Sequence, residues 1–311
     1  MSEFHHVSVL LDECIEGLNI KPDGIYVDGT LGGAGHSYHI AERLTTGRLI
    51  GIDRDPVALK AAGERLSPFA DRVTLVHSNF CRMGQVLQEL GISGVDGILL
   101  DLGVSSPQLD DGSRGFSYMT DAPLDMRMDN GDALSADTVV NTWSYEELKR
   151  ILYDYGEERY APAIAKAIVK RRQESPIETT GQLVDIIRAA MPPAALREKQ
   201  HPAKRTFQAI RIAVNDELGE LPPMLQAASQ LLAPGGRLAV ISFHSLEDRI
   251  IKKTLQELST GCTCPPNFPV CVCGKKPKMK LVTRKPIVAG TAELVYNPRA
   301  RSAKLRVAEK I

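Results

Sequence analysis

Three acids in the first third of the chain, Asp28, Asp53 and Asp101, each close a short apolar run. Ile25-Tyr-Val leads into the first, Arg48-Leu-Ile-Gly-Ile into the second, and Val95-Asp-Gly-Ile-Leu-Leu into the third. After the first comes Asp28-Gly-Thr-Leu-Gly-Gly-Ala-Gly-His36, where glycines at 32, 33 and 35 let a ligand approach the backbone because no Cβ intervenes. Strand, glycine turn and helix start together form the place where open α/β sheets hold nucleotide-like ligands. Asp53 can accept both hydroxyls of a ribose. Asn79 can reach an adenine edge and Phe80 its face. A dinucleotide brings a pyrophosphate, which Asp28 repels; S-adenosylmethionine brings a sulfonium and an amino group, which it attracts. Local chemistry thus favours the methyl donor over NAD, and a ligand-free strand–loop–helix is the third reading.

The elements that must position these groups follow one another regularly. Residues 5–19 carry apolar positions at helical spacing, and His6 either covers the pocket or caps the surface. Pro56 opens a helix, residues 72–77 form a strand, and residues 83–90 form another helix. A β-α-β-α-β-α-β rhythm up to Asp101 predicts a doubly wound α/β sheet, with functional side chains at the carboxyl ends of its strands. From Gly103 to about Pro202 strand patterning stops, and helices are expected over 144–152, 161–172 and 180–190. A strand over 235–242, a helix capped by Ser245, and two β-like runs near 280–283 and 303–307 follow; a reversed pair there completes seven strands. The expected domains are 1–110 plus 204–311 for the sheet, and 111–203 as an inserted helical domain that recognises substrate.

The chain has 311 residues and a formal net charge of zero, unevenly spread. From Cys262 to Ile311 eleven Lys or Arg face only Glu293 and Glu309. Such a tail suits contact with phosphates, or else is merely a solvated extension. The basic helix end Lys166, Lys170, Arg171, Arg172 poses the same alternative. No apolar run is long enough to span a membrane and the first residues lack a signal-peptide pattern, so a cytoplasmic enzyme without membrane contact is expected. Cys262-Thr-Cys264 and Cys271-Val-Cys273 offer four thiolates for a structural zinc, against reduced thiols or redox pairing.

Longer runs then carry a resemblance. They are His6-x-Ser-Val-Leu-Leu-Asp-Glu13, Asp28-Gly-Thr-x-Gly-x-x-Gly-His-Ser37 and Gly97-Ile-Leu-Leu-Asp-Leu-Gly-Val-Ser-Ser-Pro-Gln-Leu-Asp110. Arg114-Gly-Phe-Ser, Pro123-Leu-Asp-Met-Arg-Met128, His201-Pro-Ala-x-Arg-Thr-Phe-Gln-Ala-Ile-Arg211 and Ile241-Ser-Phe-His-Ser-Leu-Glu-Asp-Arg249 continue it. Almost end to end, the chain resembles the bacterial RsmH family, also called MraW, the 16S rRNA cytosine-N4 methyltransferases. The resemblance implies a class I (Rossmann-like) S-adenosylmethionine-dependent methyltransferase sheet with an inserted all-helical domain. It places cofactor contacts on Ala34, Gly35, His36, Asp53, Phe80, Asp101 and Gln108, beside the Asp28 already singled out. It implies as substrate a decoding-region (P-site) cytidine of 16S rRNA. The helical insertion and basic tail fit an assembled or nearly assembled small ribosomal subunit as partner. Leu31 and Ala34 depart from some members, and the cysteine cluster belongs to only some. Oligomeric state is left open, a homodimer included.

Amino-methyltransferases often place a short Asp/Asn/Ser-Pro-Pro-aromatic motif after the fourth strand; here that place reads Ser105-Ser-Pro-Gln108, with one proline and no aromatic. A stacking ring must come from elsewhere, Phe116 or Tyr118. Asp101 is the first candidate to accept the amine proton, and Ser106 with its carbonyl the second. That Asp101 only holds the cofactor stands equal. Asp125, Arg127 and His244 either position substrate or hold structure. An NAD oxidoreductase and a non-enzymatic zinc RNA-binding protein remain as rivals, separable by ligand protection and by deleting the Asp28–Asp53 half.

Overall fold

The computed structural model describes residues 8–105, 108–109, 111–264, 270 and 272–311. Strands β1 (Ile25–Asp28), β2 (Arg48–Asp53), β3 (Val73–His77), β4 (Val95–Asp101) and β5 (Leu232–Ser242) pair in parallel. Strands β6 (Met279–Leu281) and β7 (Lys304–Lys310) close the edge, with β7 antiparallel to both β5 and β6. The order is β3-β2-β1-β4-β5-β7-β6, so the expected reversed pair does complete a seven-stranded sheet. Parallel strands covered on both faces are apolar throughout, and Ile98, Leu99, Leu100, Val240 and Ile241 are all buried. Their alternating side chains feed two cores: Ile98 and Leu100 join Val27 and Val240, whereas Leu99 and Ile241 join Leu10, Leu18 and Leu49.

Contacts divide the chain into Met1–Gly103 with Leu218–Ile311, and Val104–Glu217. These boundaries differ from the expected 110/111 and 203/204. Val104 packs on the helical core, and the helix Lys204–Asn215 contributes Phe207, Ile210 and Val214 to it. Asn215 also clamps the preceding segment, donating to the Met126 carbonyl (2.8 Å) and accepting from the Met128 amide (2.8 Å). The helical unit further holds Ala136–Thr142, Tyr145–Asp154, Ala161–Glu174 and Thr180–Ala190. Ser144 opens the second of these four with a reciprocal capping box to Glu147, and Thr179 opens the fourth with Gln182.

Ser245 is not the cap of the helix Ser245–Ser259. His244 takes that place, its side chain accepting from the Glu247 amide while Glu247 reaches back to the His244 amide. An unprotonated ring nitrogen satisfies an orphan N–H as an oxygen does. Nδ1 of His244 is thus used by the cap, while its buried Nε2 has no hydrogen-bond partner among the described residues.

The basic tail is in part internal to the sheet unit. Arg306 Nε donates to Asp248 at 2.7 Å and Lys304 Nζ at 3.2 Å, while Lys310 Nζ donates to the Ser229 carbonyl at 2.7 Å. Arg306 is only 7% exposed, so removing its carboxylate strands a buried cation. Asp248→Ala should cost about 3–5 kcal/mol, read as a lowered urea midpoint. The double variant Asp248→Leu/Arg306→Met should recover most of that loss.

Candidate functional site at the carboxyl edge of the sheet

Sheet order sets β2, β1 and β4 side by side, so Asp53, Asp28 and Asp101 end three neighbouring strands. Asp28 is 1% exposed. One of its oxygens accepts from Ser37 Oγ (2.7 Å), the other from the Thr30 amide (3.1 Å). Burial raises its pKa to about 6, against the pull of these hydrogen bonds. Asp28 thus ties both ends of the glycine turn to the strand below.

Across the turn, Gly32 donates its amide to Asp53 Oδ2 at 2.9 Å, while Asp53 Oδ1 accepts from the Asp55 amide at 2.9 Å. Burial pushes the Asp53 carboxyl upward. Each oxygen keeps a second lone pair, so acceptance from vicinal hydroxyls remains available. Ala34 sits in the left-handed region at φ 55°, an uncommon place for a residue with a Cβ. Gly35 opens the helix Gly35–Arg43, and a Cβ there would come within 1.8 Å of Ser8 Oγ. Its missing side chain admits the chain's own N-terminal segment, a use of glycine that the expected ligand approach did not include. His36, 5% exposed, meets the Val9 carbonyl through Nε2 at 2.9 Å. Since a carbonyl only accepts, that nitrogen carries the proton, and Nδ1 faces Asp101 Oδ2 at 3.8 Å.

Asp101 is the electrostatic outlier. Its amide donates to Thr30 Oγ1 at 2.6 Å, but its buried Oδ1 has no hydrogen-bond partner among the described residues. Burial first, then the charges of Asp28 and Glu247, raise its pKa to about 8. A carboxyl so placed can bind a cation or take up a proton near neutral pH.

Phe80 opens a short 3-10 turn after β3, half-buried, and its Cβ lies 3.2 Å from where a Cβ on Gly29 would stand. Asn79 is committed elsewhere, contrary to expectation. Its Oδ1 accepts from the Cys81 amide, and its Nδ2 donates to both oxygens of Glu220 at 3.1 and 2.9 Å. Its amide NH2 is thereby committed to Glu220.

The helical unit holds the other candidates. Gln108 is buried, its Oε1 accepting from the Ser105 amide at 3.0 Å. Ser106, His6 and Cys271 lie outside the described residues. Phe116 is 5% exposed inside the helical core, which removes it as an open stacking platform, while Tyr118 lies flat on His201 with centroids 4.5 Å apart. Asp125 and Arg127 form a two-pronged ion pair (2.9 and 2.8 Å), and Arg127 also holds the Asn130 and Asp132 carbonyls. That arrangement is structural. Arg172 likewise donates to the Val140 and Trp143 carbonyls, leaving less of that helix end for phosphates. In the sheet unit, the sulfurs of Cys262, Cys264 and Cys273 gather within 4.8 Å of one another.

With this geometry in place, the MraW methylase family matches residues 3–311. The chain belongs to that family. It is 61% identical over 310 residues to Ribosomal RNA small subunit methyltransferase H of Heliobacterium modesticaldum, covering 99% of each chain. The same name is carried by relatives from Brevibacillus brevis, 59% identical over 99% of this chain and 98% of that one, and from Geobacter sp. (strain M21), 58% identical over the whole of both. The family expected from the motif runs is thereby shown.

Sequence reasoning missed the groups around the site: Thr30 and Ser37, which hold Asp28 and the Asp101 amide, and Ser8, Glu220 and Glu247, which meet Gly35, Asn79 and His244. Thr30 and Ser37 were visible as hydroxyls flanking the glycines, within hydrogen-bonding reach of Asp28. Ser8 and Glu247 arrive through the fold, with no local signal. Gly35→Ala should lower the thermal midpoint by several degrees, about 1–3 kcal/mol of overpacking. Adding Ser8→Gly, which removes the clashing hydroxyl, should return most of it; independent losses would show that Ser8 is not the contact that matters.

Proposed function

We propose that this chain transfers the methyl group of S-adenosylmethionine to the exocyclic N4 amine of a decoding-region (P-site) cytidine in 16S rRNA. The reading places it in the cytoplasm, acting on a small ribosomal subunit that is assembled or nearly so. The names of its relatives support small-subunit rRNA as acceptor and methyl transfer as reaction. The observation that carries the chemistry is Asp101, a buried carboxyl with a pKa raised to about 8 and Oδ1 lacking a partner among the described residues.

The residues present fit the donor. Burial raises the pKa values of all three acids, Asp53 adding to the rise at Asp28 and Asp28 to that at Asp101, a conflict that a cationic ligand relieves. Asp53 offers lone pairs to ribose hydroxyls, Phe80 a flat apolar surface, and the turn at Ala34, Gly35 and His36 a close backbone wall. When bound, the donor supplies an electrophilic methyl group and departs as a neutral thioether.

The cytosine amine is a weak nucleophile because its lone pair is delocalised into the ring. As the N–CH3 bond forms and the S–CH3 bond breaks, the amine must lose a proton. Asp101 accepts it, ionised at that moment because a positive charge lies beside it, and well matched as a base near neutral pH. Ser106, through its backbone carbonyl, is the second acceptor. A cytosine in folded RNA has to be splayed out to reach such a pocket. Positioning supplies most of the rate, since the donor is already activated.

Small subunits from a strain lacking this protein, incubated with it and radiolabelled S-adenosylmethionine, should yield label in N4-methylcytidine after digestion to nucleosides. Label in another nucleoside would discard the target base. Asp101→Asn should lower kcat by about 100-fold or more, with the donor's Kd little changed near pH 6 and weakened as pH rises through about 8. A raised Kd with kcat intact would make Asp101 a binding group only.

The pH dependence has a definite sign. The folded pKa of Asp101 lies above the ordinary carboxylate value of 3.8, so its contribution to stability is complete below that value and lost as pH climbs through about 8. A cationic ligand prefers the ionised form. The thermal shift produced by the donor should therefore grow between about pH 6 and about pH 9, with proton release on binding at neutral pH, and Asp101→Asn should flatten it.

A further inference from the structure

The stretch between the helix Ser245–Ser259 and β6 runs over residues 260–278, and none of its described residues is in helix or strand. A connection of that length without its own secondary structure is uncommon in a compact unit and needs a device to close it. Apolar packing is not that device, because Val270 and Val272 are 71% and 74% exposed. The ends are anchored, with Met279 fully buried and the Lys278 amide donating to the Leu258 carbonyl at 2.8 Å.

The sulfurs of Cys262 and Cys273 stand 3.7 Å apart. A disulfide requires about 2.05 Å. Two thiolates on one tetrahedral zinc, each about 2.3 Å from the metal, stand about 3.8 Å apart. The third sulfur, from Cys264, lies within 4.8 Å of both. Backbone amides point at the same cluster: Thr263 donates to Cys273 Sγ at 3.5 Å and Cys264 to Cys262 Sγ at 3.4 Å. Amides aimed at sulfur favour the thiolate over the thiol. No acid lies in residues 260–278, whereas Lys275, Lys276 and Lys278 do, so a nearby carboxylate is no rival ligand within the loop.

We propose that Cys262, Cys264 and Cys273 bind a zinc ion as thiolates. With three thiolates as ligands, and no acid or histidine in residues 260–278, the ion is structural. It ties Cys262 and Cys264 to Cys273, just before Lys275 and Lys276. The site is independent of the methyl-transfer reading and stands or falls apart from it.

The test uses untagged full-length protein, purified without added metal. Elemental analysis should find about one zinc per chain that survives gel filtration. Exchange into cobalt(II) should give the thiolate-to-cobalt charge-transfer band and the intense visible bands of a tetrahedral site. Cys264→Ser and Cys273→Ser should each abolish tight retention while circular dichroism and S-adenosylmethionine binding stay as in the parent, since neither residue belongs to the donor site. Protease cleavage within residues 260–278 should rise at least several-fold in those variants and in chelator-treated parent. A metal-free chain with four reduced thiols that gives no cobalt–thiolate band would overturn the proposal. So would iron in place of zinc, a Cys262–Cys273 disulfide in freshly isolated protein, or unchanged metal content in Cys264→Ser.

Discussion

A buried carboxylate has to be hydrogen-bonded, and Asp28 meets that requirement by building the site around itself. Its two oxygens are taken by Ser37 Oγ and the Thr30 amide, so the glycine turn is held at both ends from beneath. Thr30 then passes the constraint sideways, its hydroxyl accepting the Asp101 amide at the end of β4. Gly32 passes it the other way, to Asp53 at the end of β2. Three strands that only neighbour one another in the sheet are thereby locked in register at their functional ends.

The same arrangement carries a cost. Acids on adjacent strand ends, in a place where water is largely excluded, repel one another and prefer to be neutral. Asp53, tied into two backbone amides, and Asp28, tied into the turn, resist this better than Asp101. The strain of the cluster therefore collects on the one carboxyl that Oδ1 leaves without a partner among the described residues. Asp101 relieves it by holding a proton, with a pKa raised to about 8. A ligand that brings positive charge offers another relief, by favouring the ionised carboxylate. In the proposed reaction, binding and proton acceptance are two uses of one electrostatic conflict.

How far this was legible in the sequence depends on the range of each interaction. Strands ending in Asp28, Asp53 and Asp101, and the helices opened by Ser144 and Thr179, rest on periodicity and caps within a few residues, and they lie where expected. Asn79 and His244 are polar residues beside the ends of β3 and β5, the usual signature of a ligand contact. Each already has a fixed partner, Glu220 for the Asn79 amide group and the Glu247 amide for His244 Nδ1. Asn79 meets Glu220 only because a distant helix is folded against the loop, and no local pattern announces that. The domain boundary was missed for a like reason. Phe207 and Ile210 look like any amphipathic helix, and only packing assigns them to the helical core.

The basic tail shows why composition alone misleads about partners. Eleven cations against two acids suggest a strip for phosphates, yet Lys304, Arg306 and Lys310 are used within the sheet unit. The strand β7 that carries them lies between β5 and β6, where an exposed cation could not serve RNA without giving up Asp248. Lys275, Lys276, Lys278, Lys280, Arg284 and Lys285 instead follow the three gathered thiols within twelve residues of Cys273 in the chain. A point charge on a mobile stem adds little to recognition, because ordering it on binding offsets the attraction. Charges set on a loop already held in one shape avoid that loss. Were the proposed zinc to order the loop, any phosphate contact made by this tail would be made at a smaller entropic cost.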